Sequence, residues 1–234
     1  LAQDYKPEEL QPDVEYRQHE KMLPGFARDI LLKEFYASDD DYAVFADDDA
    51  VLHEGRQHAL SKDFIALFKC ANLADLKNID SFFPLNPARV PFNKTYASDV
   101  DLYQNNFVFN RSTAFKGSFF IIKNLRKHHA KEIYFDQQYF HHPDGRMIGG
   151  EDNDFGLQLL KNNLGVYCLT NIVLREFGHT VSTWAPDHGG ATNVEFKQRI
   201  QSKYLLPTNR AGHLQYRQVY ANNTNPSKIN VRCK

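Results

Sequence analysis

The segment Tyr42-Ala43-Val44-Phe45-Ala46, followed by Asp47-Asp48-Asp49, decides the fold class of this chain. The first five residues form a short apolar run of strand formers, which is typical of a buried parallel strand. Ligands bind at the carboxyl ends of strands in open α/β sheets, and here that end carries acids. Because helical patterns precede and follow this strand, the sequence predicts a layered α/β domain with a ligand site at Asp47–Asp49.

The three consecutive aspartates predict a divalent-cation site. On an extended chain the side chains of Asp47 and Asp49 point to the same side, while Asp48 points away, for example towards a ribose hydroxyl. Carboxylates are hard oxygen ligands that suit Mn²⁺ or Mg²⁺, and a bound cation would neutralise a diphosphate leaving group. The alternative is a solvated acidic turn, which is the expectation for the upstream triplet Asp39–Asp41.

Hydrophobic periodicity and turn residues predict the other elements. We expect helices at Leu23–Tyr36, Ala59–Leu76, Glu151–Asn162 and Asn193–Tyr204. We expect strands at Lys116–Ile122 and Leu164–Leu169, and a long loop from Ser81 to Asn106. This organisation divides the chain into a polar N-terminal segment (1–22), one catalytic domain (23–206) and a polar tail that lies over the surface (207–234).

A second acidic cluster, Gly149-Gly150-Glu151-Asp152-Asn153-Asp154-Phe155, opens the helix that is predicted at Glu151. The glycines let the backbone approach a ligand closely, and negative charge suits the amino end of a helix. Helix capping is the alternative explanation, but capping needs one acid and the cluster has three. We therefore expect one of these carboxylates to accept a proton from an acceptor hydroxyl.

The stretch from about Ala27 to His179 resembles the catalytic part of the GT-A fold glycosyltransferases, which have a Rossmann-like mixed sheet flanked by helices. Ala27–Leu32 resembles the helix before their metal strand, and Tyr42–Asp49 resembles that strand with its Asp-x-Asp motif. Gly117–Ile122 resembles the strand that carries small residues under the sugar. Gly149–Asp154 resembles the Gly-Gly-Glu-Asp motif of the β-1,4-galactosyltransferase group. The resemblance implies an inverting, metal-dependent hexosyl- or pentosyltransferase that uses a nucleotide-diphosphate sugar, with a UDP-sugar favoured.

The resemblance also implies roles for individual residues. Asp152 would be the catalytic base, and Glu151 would hold the acceptor next to Gly150. The residues themselves add Trp184 as a candidate for stacking on an acceptor sugar, since aromatic faces pack on apolar sugar faces. The donor would contact Asp47, Gly117 and Ser118. The residues themselves add Asp48 for a ribose hydroxyl and Arg28 for a phosphate as further donor-binding candidates. His179 would complete the metal shell of Asp47 and Asp49. The residues alone leave two alternatives open, a helix-surface position for Arg28 and core packing for Trp184.

The residues also leave other functions open. A metal-dependent nucleotidyltransferase uses paired carboxylates on an α/β sheet, but it needs basic residues around a triphosphate, and few flank Asp47–Asp49. A non-catalytic sugar-binding domain of the same fold would have lost one acidic cluster, and both are present. The strand-helix-strand unit that holds the nucleotide base in the family is not found before Leu23, so base specificity stays open. A glycan or another hydroxyl-bearing acceptor is expected; a modified DNA base is less favoured because the formal net charge is -1.

The apolar runs, the cysteines and the Asn-x-Ser/Thr triplets of the sequence indicate the cellular compartment in which the protein is expected. No run of about 18 apolar residues is present, so no membrane span is expected. The three cysteines are Cys70, Cys168 and Cys233. They form no Cys-x-x-Cys pair, and buried, inert thiols at Cys70 and Cys168 favour a reducing, cytoplasmic compartment. The alternative is the secretory-pathway lumen after removal of an upstream anchor, because Asn-x-Ser/Thr triplets occur at Asn93, Asn110 and Asn222.

Overall fold

A computed structural model of the chain describes residues 15, 24–47, 50–52, 76–85, 106–113, 115–136, 150–176, 191–209, 219 and 222–232. Its helices are α1 (Pro24–Ala37), α2 (Leu125–His129), α3 (Glu151–Lys161) and α4 (Ala191–Tyr204). Its strands are β1 (Tyr42–Ala46), β2 (Ala50–Leu52), β3 (Ser81–Leu85), β4 (Asn106–Arg111), β5 (Phe119–Lys123), β6 (Val166–Glu176) and β7 (Lys228–Arg232). None of the described helices is long and apolar enough to cross a membrane.

Six of these strands form one mixed sheet in the order β1-β5-β3-β6-β4-β7. The β3–β6 pair is parallel, whereas the pairs β1–β5, β3–β5, β4–β6 and β4–β7 are antiparallel. β2 pairs antiparallel with the last part of β6. The chain therefore belongs to the α/β class with a mixed sheet, as the sequence predicts.

Strand β5 lies in the middle of the core, with every residue buried. Its side chains alternate between the two faces of the sheet, as expected for a strand. Phe120 and Ile122 pack in a cluster that contains Leu32 of α1 and Phe155 of α3, whereas Phe119 and Ile121 pack in a second cluster. The ring of Phe120 stacks on Phe45 of β1 at a centroid distance of 4.7 Å. This packing fixes β1, α1 and α3 around the start of β5.

The prediction that Tyr42–Ala46 is a buried parallel strand is wrong in both respects. β1 pairs antiparallel with β5, and it ends the described strand order. Only Phe45 is fully buried in this strand, and Val44 is 58% exposed. A run of five apolar residues predicts a strand, but it does not specify the direction of the neighbouring strand or which strand edge is covered.

The prediction of a loop from Ser81 to Asn106 is wrong at both of its ends. Ser81 begins β3 and Asn106 begins β4, and residues 86–105 lie outside the described residues. Pro84 suggested a loop because proline cannot donate to a strand ladder. In the structure the register between β3 and β6 shifts next to this proline, which accommodates it within the strand.

The prediction of a surface tail is wrong for residues 228–232. These residues form β7, which pairs with β4, and Val231 is fully buried. Arg111 of β4 also donates to the carbonyls of Asn223 and Asn225, which fixes the segment before β7. The polar composition of the tail concealed a strand whose apolar residues, Ile229 and Val231, alternate with polar ones.

The remaining described elements are present where they were predicted, closely for the helices, but β5 begins three residues later than predicted and β6 continues to Glu176. The helices predicted at 23–36, 151–162 and 193–204 are α1, α3 and α4, and the strands predicted at 116–122 and 164–169 are β5 and the first part of β6. The helix predicted at 59–76 lies outside the described residues except for Leu76, which is in a turn.

Candidate functional site

Asp47 follows β1 directly and lies against the segment before β5. Its backbone N–H donates to the carbonyl of Ser118 at 2.8 Å, which extends the β1–β5 pairing beyond Ala46 and Phe119. Its side chain is 37% exposed. The first carboxylate of the triplet therefore lies beside Gly117 and Ser118 and remains accessible to a ligand.

Arg28 of α1 is buried and joins the two acidic clusters. Its Nη2 donates to Oδ1 and Oδ2 of Asp47 at 2.7 and 2.9 Å. Its Nη1 lies 3.6 Å from Oε1 of Glu151, and its guanidinium carbon lies 5.6 Å from the centre of the Phe135 ring. A helix-surface position for Arg28 is therefore excluded, since only 8% of this residue is exposed. The guanidinium instead connects α1, β1 and α3.

The helix α3 begins after Gly150, whose φ of 93° lies in the left-handed region that favours glycine. A side chain at this position would also collide with the ring of Phe196 from α4. The first helical residue, Glu151, is buried. Burial and the neighbouring charge of Asp152 raise the pKa of Glu151 to about 7, although Arg28 acts in the opposite direction.

Asp152 directs its carboxylate towards the segment before β5. Its Oδ1 accepts from the N–H and the side-chain amide of Asn153 at 2.7 and 3.2 Å. Its Oδ2 accepts only a long hydrogen bond of 3.4 Å from the N–H of Gly117, as far as the described residues show. Burial raises the pKa of Asp152, while the Asn153 N–H and the Arg28 charge oppose this effect. Among the described residues, Oδ2 of Asp152 therefore accepts fewer hydrogen bonds than Oδ1.

Gly117 allows α1 and α3 to approach the same point. A Cβ atom there would lie 3.0 Å from Cβ of Asp152 and 3.1 Å from Nη1 of Arg28. Both distances are shorter than ordinary van der Waals contacts, so any side chain would separate the two residues. The small residue that the sequence predicted under a ligand is thus also required by the packing between Arg28 and Asp152.

Asp154, the third acid of the cluster, has a structural role. It is fully buried and accepts hydrogen bonds from Lys203, Tyr204 and Gln158 at 2.7, 2.7 and 2.8 Å. Lys203 also donates to Asp136 at 2.8 Å. Asp154 therefore fixes α4 against α3, and only Glu151 and Asp152 of the cluster contribute to the candidate site.

The predicted site residues divide into an assembled group and a group outside the described residues. The assembled residues are Arg28, Asp47, Gly117, Ser118, Gly150, Glu151 and Asp152. Asp48, Asp49, His179 and Trp184 lie outside the described residues. In the part of the chain that is described, no three His, Cys, Asp or Glu side chains form a metal-binding group, but two of the three predicted ligands are not in that part. Asp47, Glu151 and Asp152 lie around the guanidinium of Arg28, and burial raises the pKa of Glu151 and Asp152, so a divalent cation beside them would favour their ionised forms.

Three residues around the site were not predicted. Phe135 lies against Arg28, Phe196 lies against Gly150, and the charge of Lys116 lowers the pKa of Asp152. None of them lies in a recognisable motif, and only Lys116 has a local signal, since it directly precedes Gly117. Their positions depend on how α1, α3 and α4 pack on the sheet.

The thiol of Cys168 agrees with its predicted inert character. It is half-buried, it is not in a disulfide, and burial raises its pKa to about 11. Cys70 and Cys233 lie outside the described residues.

No protein-family model, curated protein or solved structure matches the chain. Function must therefore be inferred from the geometry and chemistry of the candidate site.

Proposed function

We propose that the chain is a divalent-metal-dependent glycosyltransferase of the GT-A fold that transfers a sugar from a nucleotide-diphosphate sugar with inversion. One observation supports this proposal above the others: Arg28 contacts Asp47 of the first acidic cluster and Glu151 of the second. The two clusters lie far apart in the sequence, so a shared guanidinium makes them parts of one site. A sugar transfer needs such a site, because the donor must be activated beside a group that activates the acceptor.

Asp152 is the proposed catalytic base. In an inverting transfer this carboxylate takes the proton of the acceptor hydroxyl while the oxygen attacks the sugar carbon. We propose that the Oδ2 atom, which among the described residues accepts one long hydrogen bond, from Gly117, accepts this proton. The raised pKa of Asp152 makes the carboxylate a stronger proton acceptor than an exposed aspartate.

The proposed donor site is the surface formed by Asp47, Gly117 and Ser118. The carboxylate of Asp47 is accessible and is a hard oxygen ligand for Mn²⁺ or Mg²⁺, with Asp49 and His179 as the further proposed ligands. The metal would stabilise the negative charge of the departing nucleoside diphosphate. Arg28 and Asp48 are proposed to bind the rest of the donor, and a UDP-sugar is the favoured donor class.

The proposed acceptor side is formed by Gly150 and Glu151, with Trp184 as a candidate for stacking on a sugar ring. Glu151 is buried against Arg28, which also contacts Asp47. We therefore propose that Glu151 holds the acceptor in a fixed position relative to Asp47 of the donor site. A glycan or another hydroxyl-bearing molecule is the proposed acceptor. A cytoplasmic location is proposed on the basis of the unpaired, half-buried thiol of Cys168.

The test is a panel of nucleotide sugars, each assayed for hydrolysis and transfer with Mn²⁺ and with EDTA. We expect at least one donor to be hydrolysed slowly without acceptor and only with Mn²⁺. Asp152→Asn should abolish transfer and leave binding of the nucleoside diphosphate unchanged, whereas Asp40→Asn, an exposed residue before β1, should have no effect. Full transfer by Asp152→Asn would place the base elsewhere, and no binding of any donor would refute the proposed function.

The same panel distinguishes the competing functions. A nucleotidyltransferase would release pyrophosphate from a nucleoside triphosphate and leave nucleotide sugars intact. A sugar-binding domain without catalytic activity would bind a donor or acceptor, and Asp152→Asn would change neither hydrolysis nor transfer because there would be none.

A further inference from the structure

The contact between Arg28 and Asp47 has an unusual geometry for an arginine–carboxylate pair. One nitrogen, Nη2, lies 2.7 Å from Oδ1 and 2.9 Å from Oδ2, so it is placed between the two oxygens. A paired arginine more often presents two nitrogens to the two oxygens of its partner. A metal ion that binds both oxygens of a carboxylate also lies between them. The guanidinium therefore occupies the side of Asp47 that a cation would approach.

We propose that Arg28 is a positioning residue that exchanges partners: it neutralises Asp47 in the empty site and turns to the donor diphosphate when Asp47 binds a divalent cation. This inference rests on the proposed function, because it assumes a nucleotide donor and a metal at Asp47. It differs from a fixed donor-binding role, because it makes Arg28 a competitor of the metal when no nucleotide is bound.

The surroundings of Arg28 permit such an exchange. The Arg28 side chain is 10% exposed, and besides Asp47 it has Glu151 at 3.6 Å and the Phe135 ring at 5.6 Å as neighbours. The planar guanidinium also matches the oxygens of a phosphate, which a lysine ammonium does not. Asp47 is the more exposed partner of the pair, so a cation can reach its carboxylate from the solvent side.

The experiment measures Mn²⁺ binding to the full chain by the electron paramagnetic resonance signal of free Mn²⁺, with and without UDP. Arg28→Met keeps an unbranched side chain next to Phe135 and removes the charge. Without UDP this variant should bind Mn²⁺ about ten-fold more tightly than the wild type, because the competing cation is gone. The gain in Mn²⁺ affinity that UDP causes should be smaller in the variant, because UDP no longer removes a competitor from Asp47. Arg126→Met is the matched control, since this side chain is 60% exposed and pairs with Glu132 instead.

The outcomes separate partner exchange from a general effect of charge. If Arg28→Met binds Mn²⁺ more tightly than the wild type by the same factor with and without UDP, Arg28 only repels the metal at long range. If the variant binds Mn²⁺ equally or more weakly, Arg28 does not compete with the metal. Either result overturns the inference. Arg28→Lys retains the positive charge but lacks the planar guanidinium that matches a phosphate. It should therefore also reduce the gain in Mn²⁺ affinity that UDP causes. This second variant provides the test if Arg28→Met does not fold, and wild-type behaviour of Arg28→Lys would refute exchange.

The same measurements distinguish failure of the inference from failure of the proposed function. If neither Mn²⁺ nor UDP binds the wild type or the variants, both the inference and the proposed function are rejected. If both bind with the expected coupling but no sugar is transferred from any donor, the exchange is supported and the proposed transferase activity is rejected.

Discussion

Replacing Glu151 by glutamine tests the electrostatics of the candidate site, because glutamine keeps the shape of the side chain and cannot ionise. Burial raises the pKa of Glu151 from 4.5 to about 7. Between these two values the folded protein holds a proton that the unfolded chain has lost. The stabilising contribution of the protonated group is complete below about 4.5, and it is lost as the pH rises through about 7. Ionisation of Glu151 therefore destabilises the wild-type protein.

The size of the effect follows from the pKa difference. A difference of about 2.5 corresponds to about 3 kcal/mol of unfolding free energy, at roughly 1.4 kcal/mol for each pKa unit. The Glu151 side chain is only 9% exposed, so solvent reduces this value little. We expect Glu151→Gln to match the wild type within about 1 kcal/mol at pH 5 and to be more stable by about 3 kcal/mol at pH 8.

The assay is urea-induced unfolding at pH 5 and pH 8 in EDTA, followed by circular dichroism and by tryptophan fluorescence. Coincident transitions with the two probes justify comparison of unfolding free energies. The control variant is Glu132→Gln, because that side chain is 40% exposed and forms its ion pair with Arg126, and it should retain the wild-type pH dependence. If Glu151→Gln loses as much stability as the wild type between the two pH values, protonation of Glu151 is not linked to folding and our account of the buried cluster is incorrect.

Two further substitutions test the packing around the site. Gly117→Ala would place a methyl group 3.0 Å from Cβ of Asp152 and 3.1 Å from Nη1 of Arg28, so we expect a loss of about 1–3 kcal/mol in urea unfolding and at least a roughly ten-fold loss of sugar transfer. Transfer at the wild-type rate would show that the Arg28–Asp152 approach is not needed. Asp154→Asn removes the buried charge that Lys203 contacts at 2.7 Å, so we expect a loss of about 3 kcal/mol in urea unfolding, with unchanged affinity for the nucleoside diphosphate in the variant that remains folded. A stability within about 0.5 kcal/mol of the wild type would contradict the structural role of Asp154.

The elements next to the site were predictable because their signals are local. The start of α3 is marked by Gly150 and by acids in the first turn, which are general signals of a helix beginning. The apolar spacing of α1 and the dense apolar run of β5 also act over a few residues. The predictions of α1 and α3 were therefore confirmed to within one residue, whereas β5 begins three residues later than predicted.

The direction of β1 and the partners of Arg28 depend on contacts that local patterns do not contain. Arg28 and Asp47 are 19 positions apart in the sequence. Glu151 is still further away, because it belongs to α3, which follows β5 along the chain. A polar residue on an apolar helix face has the same local pattern whether it is solvated or paired in the core. The strand β7 was missed for a related reason, since its buried side chains are few and only pairing with β4 makes them part of the core.

The charge balance of the site connects these tertiary contacts to the proposed chemistry. Asp47, Glu151 and Asp152 lie around Arg28, and burial raises the pKa values of both Glu151 and Asp152, with the charge of Asp152 adding to the effect on Glu151. Such a cluster is stabilised by any positive charge that enters it, including a divalent ion. The carbon of a sugar in transfer also carries partial positive charge in its oxocarbenium-like transition state. A divalent ion bound at Asp47 would therefore favour the ionised carboxylates of the cluster. A raised pKa alone does not mark such a site, since burial also raises the pKa of the structural residue Asp154.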